Sequence, residues 1–76
     1  MIRTIIPDRL TRREREILIL VARGRSNRQI ARDTGVTVRT VKFHTGNIYS
    51  KLRVGSRAEA IAWAWGHQEI RDRLQN

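Results

Sequence analysis

The sequence predicts an all-α domain of four short helices, and three observations carry that prediction. Three Ser/Thr-x-x-Glu/Gln boxes, Thr11 with Glu14, Ser26 with Gln29 and Ser56 with Glu59, mark starts where two side chains satisfy orphan backbone N–H groups reciprocally. Gly24, Gly35 and Gly55 each follow an apolar-periodic run, at the place where a residue of positive φ ends a helix. Between these marks the apolar residues recur at helical spacing, and no alternating strand pattern competes.

The first helix, residues 11–23, opens at Thr11 and sets Ile17, Leu18 and Val21 on one stripe. The second, residues 26–34, opens at Ser26, stops before Gly35 and offers Ile30 and Ala31. In the third, residues 37–52, Thr37 is the N-cap, although Thr40 stands where the box wants an acid or amide. Its stripe is Val41, Thr45, Ile48 and Leu52, with Thr45 a polar interruption. The fourth helix spans residues 56–67. Connections this short force close packing, and the expected core is Leu10, Ile17, Leu18, Val21, Ile30, Ala31, Val36, Val41, Ile48, Leu52 and Ile61.

On the fourth helix Trp63 and Trp65 lie about 200° apart, so one can join Ile61 in the core while the other stays outside. An exposed Trp beside small Ala60 and Ala64 points to a partner helix, which makes Ala60, Trp63 and Ala64 the candidate dimer interface. The alternative is that both indoles lie partly over the domain's own core. Residues 1–9 read as an N-terminal arm, in which Ile2, Ile5 and Ile6 could instead cap the core. Residues 10–67 form the domain, and 68–76 a polar tail open to helix formation.

Composition narrows the function classes. A chain of 76 residues makes one small domain that buries only about 60% of its unfolded surface, which leaves little room for a large active site. Sixteen Lys and Arg against seven acids give a net charge of +9, and most of the cations are Arg, whose flat fork suits phosphate oxygens and guanine edges. The expected partner is polyanionic. The absence of Cys removes disulfides, thiolate nucleophiles and Cys-ligated zinc. No apolar run approaches the roughly 18 residues of a membrane span, and the start is too short and charged for a signal peptide, so a soluble cytoplasmic protein is expected. His44 and His67 are the only His residues, with no Gly-rich phosphate loop and no nucleophile elbow, so neither catalysis nor a cofactor or metal is expected. A membrane-surface peptide would need one broad apolar face on a continuous helix, which the caps and glycines interrupt.

The segment Asn27 to Gly46 fits a helix-turn-helix for steric reasons. Ala31 is small where two helices cross, Gly35 permits a tight left-handed turn, and Val41 plugs the angle between the helices. No acid falls between Asp33 and Glu59, whereas Arg39, Lys42, Lys51, Arg53 and Arg57 do. That segregation is what a phosphate-binding face requires. With the third helix oriented by Val41, Ile48 and Leu52, the outward residues are Arg39, Lys42, Phe43, Gly46 and Ser50. Arg39 and Lys42 can donate to N7 and O6 of guanine, and Phe43 suits a thymine methyl group unless it folds back onto the motif. Gly46 costs a helix interior about 1 kcal/mol relative to Ala; it either lets the helix approach DNA or is merely tolerated. Ser26, Asn27, Thr37 and Thr40, at helix starts, can grip phosphates as well as cap, with capping the main role of Ser26 and Thr37. Lys51, Arg53 and Arg57 cluster where the third helix ends and the fourth begins, suited to a flanking phosphate. His44 reads as a structural or phosphate-side residue.

The run Leu10 to Ala60 resembles the LuxR/FixJ-type (GerE-like) helix-turn-helix domain over about two-thirds of the chain. The residues that carry the resemblance are Leu10 through Leu18, Gly24, Ser26-Asn27, Ile30-Ala31, Thr40-Val41-Lys42-Phe43-His44, Asn47-Ile48, Lys51-Leu52 and Arg57-Ala58-Glu59-Ala60. The resemblance implies a four-helix DNA-binding domain of a bacterial transcription regulator, either stand-alone or the output domain of a response-regulator or quorum-sensing protein. It implies a third helix in the major groove of double-stranded DNA, a fourth helix that pairs in a homodimer, and an inverted-repeat site, with RNA polymerase a further candidate partner. By matching positions, Thr40, Lys42, Phe43 and Gly46 fall on the DNA-facing part of the recognition helix, with Lys51 close to the backbone. Gly46 departs from the longer polar residue the family often has, and Thr45 from the usual aliphatic one. A protein-binding adaptor of the same fold would have lost the basic face, and a sigma-factor helix-turn-helix would differ in not dimerising.

Overall fold

The computed structural model describes residues 10–75. Among them five helices follow one another: α1 (Arg12–Ala22), α2 (Asn27–Thr34), α3 (Val38–Leu52), α4 (Arg57–Gly66) and α5 (Gln68–Leu74). The first four fall within one residue of the predicted limits at each end.

Local chemistry explains the boundaries. At Thr11 and Ser26 both halves of the capping box form: Glu14 N–H donates to Thr11 Oγ1 at 3.0 Å and Thr11 N–H to Glu14 Oε1 at 2.9 Å, and Ser26 and Gln29 repeat the exchange. At Thr37, which lacks the acid, its Oγ1 accepts from Thr40 N–H at 3.1 Å and donates to Thr40 Oγ1 at 3.0 Å. The box expected at Ser56 forms by half. Glu59 N–H donates to Ser56 Oγ at 3.1 Å, while the Glu59 carboxylate accepts from Gly55 N–H at 2.7 Å, one residue earlier than the motif prescribes.

Two of the three glycine stops are in the left-handed region, Gly24 at φ 85° and Gly35 at φ 74°. The third is not Gly55. Arg53 takes that conformation instead, at φ 61° and ψ 42°, because α3 stops directly after Leu52 and the chain must reverse there. An L-residue pays about 1–2 kcal/mol for it.

α1 is the central rod, in contact with each of the other four helices. Of the expected core, Leu10, Ile17, Leu18, Val21, Ile30, Ala31, Val41, Ile48 and Leu52 are buried, whereas Val36 and Ile61 are half-buried at its margin. Ile19, Ala22, Ala60, Ala64 and Ile70 join it, because α4 and α5 cover a second side of α1 that a single-stripe reading leaves to solvent. Thr45 is buried as well, with its hydroxyl donating to the Lys42 carbonyl at 3.0 Å, so its polar atom is satisfied within its own helix.

Ala60 and Ala64 have no exposed surface. Their small side chains let α4 lie close on α1, so they are internal packing residues and not part of a partner-facing surface. The stretch after residue 67 also differs from a polar tail: α5 buries Ile70 completely, half-buries Leu74, and is tied back by Arg23 Nη2 donating to the Arg73 carbonyl at 2.9 Å. One isoleucine in a run of polar residues is a weak sequence signal, yet full burial of its side chain contributes about 1.5–3 kcal/mol.

Glu14 links α1 to α3. Its carboxylate, only 4% exposed, closes the α1 cap and accepts from Lys51 Nζ at 2.7 Å. Burial pushes this carboxyl up, but the hydrogen bonds from Lys51 and Thr11 and the Lys51 charge together outweigh it and hold the group below the ordinary glutamate value. A carboxyl depressed in the folded state stabilises above its unfolded pKa of about 4.3 and loses that contribution as pH falls through the folded pKa. Glu14→Gln preserves the capping box and removes the charge, so it should cost about 1 kcal/mol at neutral pH, a figure reduced by the partial exposure of Lys51. Urea unfolding from pH 7 down to pH 3 checks this: the gap between parent and variant should close below about pH 4, and a pH-independent gap would contradict the assignment.

Candidate nucleic-acid interface

α2, a turn and α3 form the helix-turn-helix. The Thr34 hydroxyl closes the end of α2 on the Ile30 carbonyl at 2.7 Å, and left-handed Gly35 reverses the chain. Buried Ala31 and Val41 lie on either side of that turn, as their size and spacing require.

The face of α3 turned from the core carries Arg39, Phe43, Gly46 and Ser50, three or four residues apart, with Lys42 beside them; all five are exposed. Phe43 is 65% exposed and touches the His44 ring edge-on at 5.8 Å, so it stands clear of the motif's own surface. Arg39 and Lys42 make no side-chain hydrogen bond or ion pair among the described residues. Around Gly46 a Cβ would meet nothing within 4 Å, so the fold itself does not call for glycine there.

The helix starts are divided in role. Ser26 and Thr37 are exposed but committed as caps, and Thr40 is half-buried in the Thr37 cap. Asn27, on the first turn of α2, buries an Oδ1 that finds no partner within the described chain. Two cations expected at the flank are engaged internally: Lys51 with Glu14, and Arg57 by donating to the Arg25 carbonyl. Arg25 in turn donates to the Asp33 carboxylate from Nε and Nη2, at 3.0 and 3.1 Å. Arg53, by contrast, is exposed at the end of α3.

On α4 the outward residues are Ala58, Glu59, Ala62 and Gly66 together with Trp65, which is 40% exposed and donates from Nε1 to the Ala22 carbonyl at 3.4 Å. Trp63 is half-buried and stacks on His67 with ring centroids 3.6 Å apart. Neither indole enters the core fully. The outward alanines escaped the sequence reading because Ala60 and Ala64 are equally small and only packing shows which pair turns inward.

Beyond this face, an open groove between α1 and the end of α2 contains Glu16 and Asp33, both paired with arginines. Among the described residues no group of three His, Cys, Asp or Glu is placed to hold a metal ion. No helix there is long and apolar enough to cross a membrane.

Comparison with known proteins agrees with this geometry. The family model described as "Bacterial regulatory proteins, luxR family" matches residues 8–64. Response regulator protein VraR of Staphylococcus aureus is 48% identical over 63 residues, which cover 83% of this chain and 30% of that protein. The VraR proteins of Staphylococcus saprophyticus and Staphylococcus epidermidis match to the same extent. The chain therefore corresponds to about 30% of the length of these curated relatives. From the helix-turn-helix, its open basic face and the match over residues 8–64, the chain belongs to the luxR family of bacterial regulatory proteins, a family of DNA-binding transcription regulators and not of enzymes.

Proposed function

We propose that this chain binds duplex DNA sequence-specifically as a homodimer, with α3 in the major groove and α4 against its twin. The observation that carries the reading is the outer face of α3, where Arg39 and Lys42 have no side-chain partner among the described residues and flank a phenyl ring left 65% in water. Two cations suited to guanine and an apolar group suited to a thymine methyl are what base readout needs and what an isolated domain has no use for. Ser26, Asn27, Thr37 and Thr40 supply phosphate-level contacts beside their caps. Lys51 and Arg57, engaged within the fold, position these elements and add positive potential.

The dimer uses the outward side of α4. Ala58 and Ala62 allow a second helix to approach, with Trp65 and half-buried Trp63 at the edges. Two-fold symmetry then presents two α3 helices to half-sites about 10 base pairs apart in an inverted repeat. By their names the relatives are response regulators. We read this chain as the DNA-binding output of such a regulator or as a regulator of one domain, with RNA polymerase as a further partner at the promoter.

Sedimentation of the chain with a single operator duplex tests the stoichiometry: two chains per duplex are expected, and one per duplex contradicts the dimer. Gly46→Ala tests the approach of α3. It should raise stability by about 1 kcal/mol, since the helix gains propensity and no atom obstructs the methyl group, and it should weaken operator binding. Thermal unfolding and a binding titration check both; unchanged affinity would mean Gly46 is only tolerated.

A further inference from the structure

Three cations gather where α3 ends and α4 begins, and the structure separates them. Lys51 Nζ lies 2.7 Å from a Glu14 carboxylate oxygen, and the Arg57 guanidinium donates to the Arg25 carbonyl. Arg53 is exposed, and although its backbone N–H closes the end of α3 on the Ser50 carbonyl at 3.2 Å, its side chain makes no hydrogen bond or ion pair among the described residues.

Arg53 is also the one non-glycine residue in the left-handed region among the described residues, a conformation that glycine adopts without steric cost. Gly55 stands two residues later with its φ outside that region, so the reversal falls on an arginine with a glycine close at hand. Strained backbone of this kind costs about 1–3 kcal/mol, is held by the structure around it and clusters at ligand sites. The guanidinium itself makes no side-chain bond within the described residues.

Its surroundings suit an anion. No acid lies between Asp33 and Glu59 in the chain. The Arg57 bond ties the start of α4 to the α1–α2 turn. The N-terminus of α4, with its positive dipole end, begins four residues after Arg53.

We propose that Arg53 is a phosphate anchor of the DNA site, and that its left-handed backbone aims the guanidinium fork at the phosphate flanking the groove occupied by α3. The inference rests on the DNA-binding reading above and deepens it. A guanidinium donates two parallel N–H bonds to phosphate oxygens and gives affinity without sequence choice. Arg53 therefore exchanges domain stability for DNA affinity.

The test is Arg53→Gly and Arg53→Lys in the full chain, titrated with a selected duplex and a scrambled one from about 50 to 200 mM salt. Arg53→Gly should melt roughly 4 °C higher because strain is relieved. It should bind both duplexes more weakly, with a salt slope less steep by about 0.9, so that its deficit shrinks about 3.5-fold across that salt range. Arg53→Lys should restore the slope, and base preference should be unchanged in both variants. A parent chain that binds no duplex overturns the DNA-binding reading and this inference with it. Parent binding with an unchanged slope in Arg53→Gly overturns the anchor alone. So does a lower melting temperature, which would make Arg53 a folding residue, or an altered base preference, which would make it a base contact.

Discussion

Lys42→Ala should lower affinity for the operator duplex by about 5- to 150-fold, while binding to a scrambled duplex falls only by the share of one surface charge. The larger loss follows from the worth of a base-edge contact, about 1–3 kcal/mol for a good donor pair on guanine. The side chain is exposed and makes no hydrogen bond or ion pair among the described residues, so truncating it removes nothing the fold uses. Stability should accordingly change by less than about 0.5 kcal/mol. Titration of both duplexes at one fixed salt concentration reads the difference. Equal losses on the two would make Lys42 a phosphate contact and would move base choice to Arg39 and Phe43.

Ile70→Ala should destabilise the domain by about 2–5 kcal/mol, the range for removing a fully buried aliphatic group and leaving a cavity. A domain of this length has about 4–11 kcal/mol in total, so the substitution removes a large fraction of it. Its melting temperature should drop by at least about 8 °C. Asp72→Ala, on the exposed side of α5, is the matched control and should stay within about 0.5 kcal/mol. The two variants together ask whether α5 belongs to the cooperative unit. A chain that melts normally with Ala at 70 would make α5 an independent appendage and would restore the polar-tail reading of residues 68–76.

That second case shows where sequence reasoning ended. The first four helices were legible because caps, stops and periodicity act over three or four residues, as Thr11 with Glu14 and Ser26 with Gln29 do. The outward face of α3 was legible for the same reason, since Val41, Ile48 and Leu52 fix the rotation of the helix and leave Phe43 and Lys42 outside. What remained hidden depends on which helix lies against which. Ala60 and Ala64 look as available to a partner as Ala58 and Ala62 until α1 is seen to cover the first pair. Ile70 looks isolated until α5 folds back. That Lys51 and Arg57 are also engaged within the fold was hidden, because their partners, Glu14 and the Arg25 carbonyl, lie 37 and 32 residues away. Arg53 was eclipsed by Gly55, because residue preference favours the glycine and only the actual end of α3 decides which residue must turn.

The central claim is sequence-specific binding by a dimer, and selection of bound duplexes from a random DNA pool tests it most directly. An inverted repeat should emerge with half-site centres about 10 base pairs apart, and should be bound at least about a thousandfold more tightly than a scrambled duplex at physiological salt. A pool that yields no common sequence, with weak binding that salt abolishes equally for every duplex, would contradict the account and reduce the basic face to a general attraction for polyanions.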